Sequence, residues 1–259
     1  MTREAVHAEW TKLRTAPGMF WLAAAVLVVT LGVDVAGSTS VACRNTGCVQ
    51  DPVKLSLIGV YLGQALVAIT AVLTVCGEYS TGMIRVTFTA MPRRDVVLAA
   101  KAVWVCVFTL VAATLAVGGS LLVARLVMPG RGFTAAHGFP LGSFTDGAAL
   151  RAAGGTVLYL GLIGLLSLGV AALVRDSAAA IGIVLGLLYL SPILAGVVSS
   201  PVWHNRIERY APMNAGLAIQ ATKNLASLPI GPWEGLGVLA LWAAGALLAG
   251  GAVLRMRDA

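Results

Sequence analysis

Six long apolar runs, at residues 19–36, 55–76, 102–124, 152–174, 178–199 and 235–254, set the limits on what this chain can become. A helix needs about 20 residues to cross a hydrocarbon core, and each run is close to that length or longer. Inside lipid every backbone N–H and C=O must be satisfied within the protein, so only helices and closed barrels span. Barrel strands would alternate over stretches of about ten residues, whereas these runs are continuous in Leu, Ala and Val. The expected fold is therefore all-α and integral to the membrane: a single domain over 1–259 with six transmembrane helices.

Composition excludes the soluble readings. Only 11% of residues are charged, against roughly 25% in soluble domains. The net charge of +7 is accordingly not evidence for nucleic acid. Basic residues in such a chain set orientation and meet anionic headgroups. With the N-terminus inside, the inner segments hold Arg3, Lys12, Arg14, Arg85, Arg93, Arg94, Lys101, Arg175, Arg255 and Arg257. The longer outer segments hold Arg44, Lys54, Arg125, Arg131, Arg151, Arg206, Arg209 and Lys223. The density favours cytoplasmic N- and C-termini by the positive-inside rule.

The polar segments have distinct characters. Val6, Trp10 and Leu13 recur at helical spacing in residues 1–17, which predicts a short N-terminal helix lying in the membrane interface. A cleavable signal peptide is the competing reading, opposed by the long run that follows and the absence of a clear cleavage site. Cys43 and Cys48 share a polar loop and are a candidate disulfide if that loop is external; with no histidine or further cysteine nearby, zinc is not favoured. Cys76 and Cys106 lie in or beside apolar runs, where a thiol behaves as a small hydrophobe. Residues 214–226, between Trp203 and Trp233, are mildly apolar and precede Pro229 and Pro232. They could dip into the membrane before the sixth run or remain a surface loop.

Ionisable groups within spans mark function by default, and they are few. Asp34 lies near the end of the first run and is expected to reach the interface; no histidine lies in any run. Gln64, Thr70, Thr74 and Thr109 could line a path or make interhelical hydrogen bonds. Gly59 with Gly63, and Gly182 with Gly186, form small-xxx-small patterns that suit close packing within one subunit or a dimer seam. A phosphate-binding loop requires Gly-x-x-x-x-Gly-Lys followed by Ser or Thr, and none of Lys12, Lys54, Lys101 or Lys223 has that context. HExxH and GxSxG are absent too, and the runs hold neither paired carboxylates nor a Ser/His pair. No enzymatic or metal site is expected, and any ATP hydrolysis must come from another chain.

The most informative polar stretch is the island at 77–101, GEYSTGMIRVTFTAMPRRDVVLAAK, between the second and third runs. Gly82 and Pro92 punctuate it, and Met83, Ile84, Val86 and Phe88 give an apolar surface beside Arg85, Arg93, Arg94 and Lys101. A short amphipathic helix along the cytoplasmic interface is expected; the simpler account is a solvated loop that sets orientation.

The order Glu78, Tyr79, Gly82, Ile84, Arg85, Thr87, Pro92, Arg93, Arg94, Lys101 resembles the type-2 permease family of ATP-binding cassette (ABC) exporters, especially its actinobacterial members. The opening Glu9-Trp10-Thr11-Lys12-Leu13-Arg14-Thr15 is similar to the family's interfacial entry helix. Arg175-Asp176-Ser177-Ala178 with Ala180-Ile181 resembles its turn between helices four and five. Pro232-Trp233-Glu234-Gly235 through Trp242 to Arg255-Met256-Arg257-Asp258-Ala259 resembles its last helix.

This resemblance implies a multi-pass permease of the bacterial plasma membrane. It would pair with a second permease copy or a related one, and with two ATPase subunits that bind ATP and magnesium; this chain itself would hold no cofactor. The segment between helices two and three would be the coupling helix, seated on the ATPase through Glu78, Tyr79, Gly82, Arg85, Arg93 and Arg94, with Pro92 ending it. Helices two and five would line the substrate path, bringing in Gly59, Gly63, Gln64, Thr70, Gly182 and Gly186, and the stretch before helix six would be re-entrant. The outer loops match no subgroup pattern and leave the cargo open. Two other classes remain: an ATP-independent carrier or channel, and a non-transporting membrane scaffold or immunity protein.

Overall fold

The computed structural model describes residues 17–43, 50–90, 93–134 and 146–256. The expected interfacial helix over 1–17 falls almost wholly outside these residues, as do Cys48 and Pro92. The described chain is helical, in the order α1 (Pro17–Ser40), α2 (Pro52–Ser56), α3 (Val60–Ser80), α4 (Met83–Ala90), α5 (Arg94–Val127), α6 (Gly147–Val174), α7 (Ser177–Val197), α8 (Pro201–Tyr210), α9 (Pro212–Leu217) and α10 (Pro232–Met256). Six helices, α1, α3, α5, α6, α7 and α10, are long and apolar enough to cross a membrane. This is a multi-pass helical membrane protein.

The core sits around α6. In its most apolar stretch 67% of residues are buried, against 17% for α1 and 22% for α7 and α10. It packs on α10, α3 and α5, while α1 is held against α5 and α3 at the periphery. Where helices approach most closely the contact residues are glycines. A Cβ added to Gly169 of α6 would strike the backbone of Ala246 in α10, and one added to Gly250 would strike the Gly169 carbonyl. Such contacts let two backbones meet where van der Waals packing, not water exclusion, drives association.

The ends of the bundle follow local chemistry. α6 stops at Arg175, whose left-handed φ of 63° reverses the chain, and Asp176 then caps α7 by accepting from Ala179 N at 2.8 Å. Prolines begin α2, α8, α9 and α10, where a missing N–H is harmless. Cys43 is disulfide-bonded, and Cys76 and Cys106 are free thiols. The bundle thus has two ends, one marked by Cys43 and one by Glu78.

Three of the boundaries that differ from the apolar runs have a visible reason. The second run does not begin a helix at Leu55. α2 ends at Ser56 and α3 starts at Val60, because the Gly59 N–H donates to Asp34 Oδ1 at 2.6 Å instead of to a carbonyl one turn back. Val60 and Tyr61 then bond three residues back, to Leu57 and Ile58. The first run continues past Ala36 to Ser40, so Asp34, expected to reach the interface, instead lies inside the helix. It is fully buried and also accepts from Ser120 Oγ of α5. The third spanning helix, α5, begins at Arg94 and takes in Lys101, which is only 4% exposed.

Candidate functional site

The island of polar sequence folds into the Glu78 end of the bundle. α3 closes at Ser80, and Gly82, with φ 71°, turns the chain into α4. That left-handed geometry suits glycine because a Cβ there would be strained. α4 has two sides. Ile84 and Thr87 are buried, whereas Met83, Arg85, Val86 and Thr89 are exposed, Val86 to 69%. The result is a short helix pinned along one face, offering a mixed apolar and cationic surface on the other.

The same region is braced by charge. Lys101 Nζ lies 2.8 Å from Glu78 Oε1 and donates to the Thr74 carbonyl at 3.1 Å. Arg94 donates to the Leu254 carbonyl at 2.7 Å, and Arg175 to the Val253 carbonyl at 3.1 Å. The last carbonyls of a helix have no donor one turn on and carry the negative end of its dipole. Two guanidinium groups therefore cap α10. The Arg175 guanidinium also stands 5.5 Å from the centre of the Tyr79 ring, within cation–π range. At the exposed edge, Arg255 donates from Nε and Nη2 to both oxygens of Asp95, at 2.7 and 2.8 Å.

The residues of the island thus divide by task. Glu78, Tyr79 and Arg94 face other helices and hold α3, α5, α6 and α10 in register. Gly82 makes the turn. Arg85 and Arg93 are exposed. Lys101, which the sequence grouped with the basic cluster, is withdrawn from it as the partner of Glu78.

The six residues expected on a path through helices two and five do not share one environment. Gly59 and Gly63 are the contact by which α3 meets α1: added Cβ atoms would overlap the Thr30 carbonyl and hydroxyl. Gln64 is fully buried; it accepts from the Tyr159 hydroxyl and donates to the Tyr61 carbonyl at 3.2 Å and to Met213 Sδ at 3.3 Å. Thr70 donates to Leu66 O at 2.7 Å and borders a space of ≈ 20 Å³ with Thr74, Lys101 and Trp104. That is room for about one water. Gly182 and Gly186 lie on the exposed face of α7, with nothing within 4 Å of an added Cβ. In a single chain these positions do not form a continuous path.

Sequence reasoning missed the inward roles of Lys101 and Asp34. For Lys101 a signal existed: Glu78 and Lys101 have opposite charge and sit at the facing ends of consecutive runs. For Asp34 there was none, since both partners, a backbone N–H and a serine, are invisible to charge patterning.

The segment before α10 was expected to be either re-entrant or a surface loop. Here Tyr210, at the end of α8, accepts through its carbonyl from Trp242 Nε1 at 3.0 Å. The chain then reverses at Ala211 and runs antiparallel to α6. Gly216 lies against Tyr159, Ile219 against Gly155, and the Ala221 carbonyl accepts from Arg151 at 2.6 Å. Met213, Leu217 and Ile219 are buried, whereas no residue of α8 is. At the Cys43 end Asp51 fixes the returning chain, accepting from Thr222 Oγ1 at 2.7 Å and Lys223 N at 3.0 Å. No family model matches this chain, and no curated protein matches it.

Proposed function

We propose that this chain is the membrane-spanning permease subunit of an ATP-driven ABC exporter, which provides the substrate path and docks a separate ATPase through α4. The observation that carries this reading is the two-sided α4. A helix of eight residues follows directly on α3, is anchored by Ile84 and Thr87, and presents Met83, Arg85 and Val86 outward. Its root is tied by the Glu78–Lys101 pair and the Tyr79–Arg175 contact to helices at the centre of the bundle. A push on α4 would therefore be delivered to α3, α5 and α6 together. The family resemblance of the island supports the same reading.

In this reading the Glu78 end is cytoplasmic, the Cys43 end faces outward, and α8 with α9 is a re-entrant hairpin before the sixth spanning helix. The Tyr210–Trp242 bond supports the hairpin, because Trp242 lies well inside α10. ATP binding would close two ATPases and bias two permease copies between inward- and outward-open states, as differential stability of two states requires.

The test is a mild-detergent pull-down of the tagged chain from its own cells, with an ATPase assay on the eluate. Co-purification of an ATPase, lost on replacing Arg85 and Arg93 with Glu, is expected. A folded preparation that recovers no ATPase would overturn the reading. One observation favours a second reading, an ATP-independent carrier: Asp34 and the Glu78–Lys101 pair place ionisable groups inside the bundle. Transport by the chain alone in proteoliposomes, abolished by Asp34→Asn, would establish the carrier instead.

A further inference from the structure

A cavity of ≈ 330 Å³ opens between α3, α7, α8, α9 and the chain leading into α10. Its size is at the lower end of small-ligand sites. Five residues with polar side chains line it: Lys54, Tyr61, His204, Glu208 and Asn214. Their hydrogen bonds leave ligand-directed capacity. Asn214 Oδ1 accepts from Ser191 at 3.3 Å, which leaves its two N–H donors uncommitted among the described residues. Neither Lys54 Nζ nor the Tyr61 hydroxyl hydrogen has a partner among the described residues.

Among the described residues the Glu208 carboxylate has an ion-pair contact with His204. The His204 ring Nδ1 lies 2.9 Å from the Ala195 carbonyl, which can only accept, so Nδ1 carries the hydrogen. The other ring nitrogen lies 3.6 Å from Glu208 Oε1, longer than a hydrogen bond. The cavity thus holds one positive and one negative side chain not paired with each other, with an amide donor between α7 and α9. The remainder of the wall, including Pro192, Leu217, Leu228 and Ile230, is aliphatic.

We infer that this cavity binds a small zwitterion, a primary ammonium close to an anionic oxygen group, with a short aliphatic portion. The ammonium is held by Glu208 beside the Tyr61 hydroxyl, and the anionic group by Lys54 and the Asn214 N–H donors. Such a ligand has two sources with the same chemistry, a free aliphatic amino acid or the headgroup of an ethanolamine phospholipid. The inference does not rest on the exporter reading, because a chain that docks no ATPase would bind equally well.

The test uses the purified full chain in detergent and isothermal titration with leucine and with phosphoethanolamine. At least one is expected to bind. For leucine, its methyl ester, which lacks the anion, and 4-methylpentanoate, which lacks the ammonium, should bind at least tenfold more weakly. For phosphoethanolamine, the same loss is expected of ethanolamine and inorganic phosphate. Glu208→Gln and Lys54→Met should each weaken the zwitterion at least tenfold while eluting as monodisperse protein with an unchanged melting temperature; Asn214→Leu supplies a third variant if either misfolds. Absence of binding by both zwitterions, equal binding of the single-charge halves, or binding indifferent to all three substitutions would overturn the proposal. Reconstitution in nanodiscs separates the sources: loss of leucine binding in ethanolamine lipid but not in choline lipid assigns the site to the headgroup, and retained binding in both assigns it to the free ligand.

Discussion

Lys101 Nζ and Glu78 Oε1 lie 2.8 Å apart, with their side chains only 4% and 10% exposed. The pair joins the end of α3 to the beginning of α5 across the segment that contains α4, so the position of α4 depends on it. Removing one partner of a buried pair strands the other charge, a loss of about 3–5 kcal/mol, whereas replacing both with apolar residues is often neutral. Lys101→Met or Glu78→Gln should lower the melting temperature of the purified chain markedly, and Lys101→Met with Glu78→Met should recover most of it. A double variant as unstable as the singles would show that the pair is not the main bond between these helices.

Asp34 should behave differently, because it bonds uncharged groups. Asp34→Ala removes the acceptor of the Gly59 N–H inside the bundle, and an orphaned buried donor costs about 1–3 kcal/mol. Asp34→Asn keeps a carbonyl oxygen there and should lose less. Denaturant unfolding in mixed micelles measures the order, and equal losses in the two variants would show that the charge itself is what matters.

Asp51 joins two distant parts of the Cys43 end. Its carboxylate caps α2 by accepting from Val53 N and Lys54 N, both at 3.2 Å, and also holds Thr222 and Lys223. Asp51→Ala should cost about 1 kcal/mol through the lost cap alone. It should also raise amide exchange across 222–231, well away in sequence from the substitution. Exchange confined to 51–56 would argue that the link to Thr222 is weak.

The six spanning helices were legible because backbone satisfaction in lipid leaves so few structures, and apolar length reports them directly. Boundaries were less legible, since hydropathy marks where polar side chains begin and not where the hydrogen-bond ladder stops. Arg94, Asp95 and Lys101 continue a helix that hydropathy cuts at Ala102, because each has a partner on another helix. The break at Gly59 came from the opposite case, a ladder interrupted inside an apolar run by a carboxylate 25 residues earlier. The same blindness applies to the island. Its charge was visible, but whether an arginine caps α10, as Arg94 does, or faces outward, as Arg85 does, depends on neighbours that spacing does not reveal.

The two glycine pairs look alike in sequence and separate in the fold, which makes them a controlled comparison. Gly63→Leu places a side chain where Thr30 already lies, and overpacking of this kind costs about 1–3 kcal/mol or more. Gly186→Leu adds the same atoms to an open face of α7. In the isolated chain Gly63→Leu should unfold at a clearly lower temperature, while Gly186→Leu should stay within about 0.5 kcal/mol of the parent, as surface substitutions do. If Gly186→Leu keeps its stability but loses transport in cells, the face of α7 is covered in the working assembly, as pairing with a second permease copy requires. If it keeps both, α7 faces lipid there, and the proposed pairing with a second copy would have to use another helix.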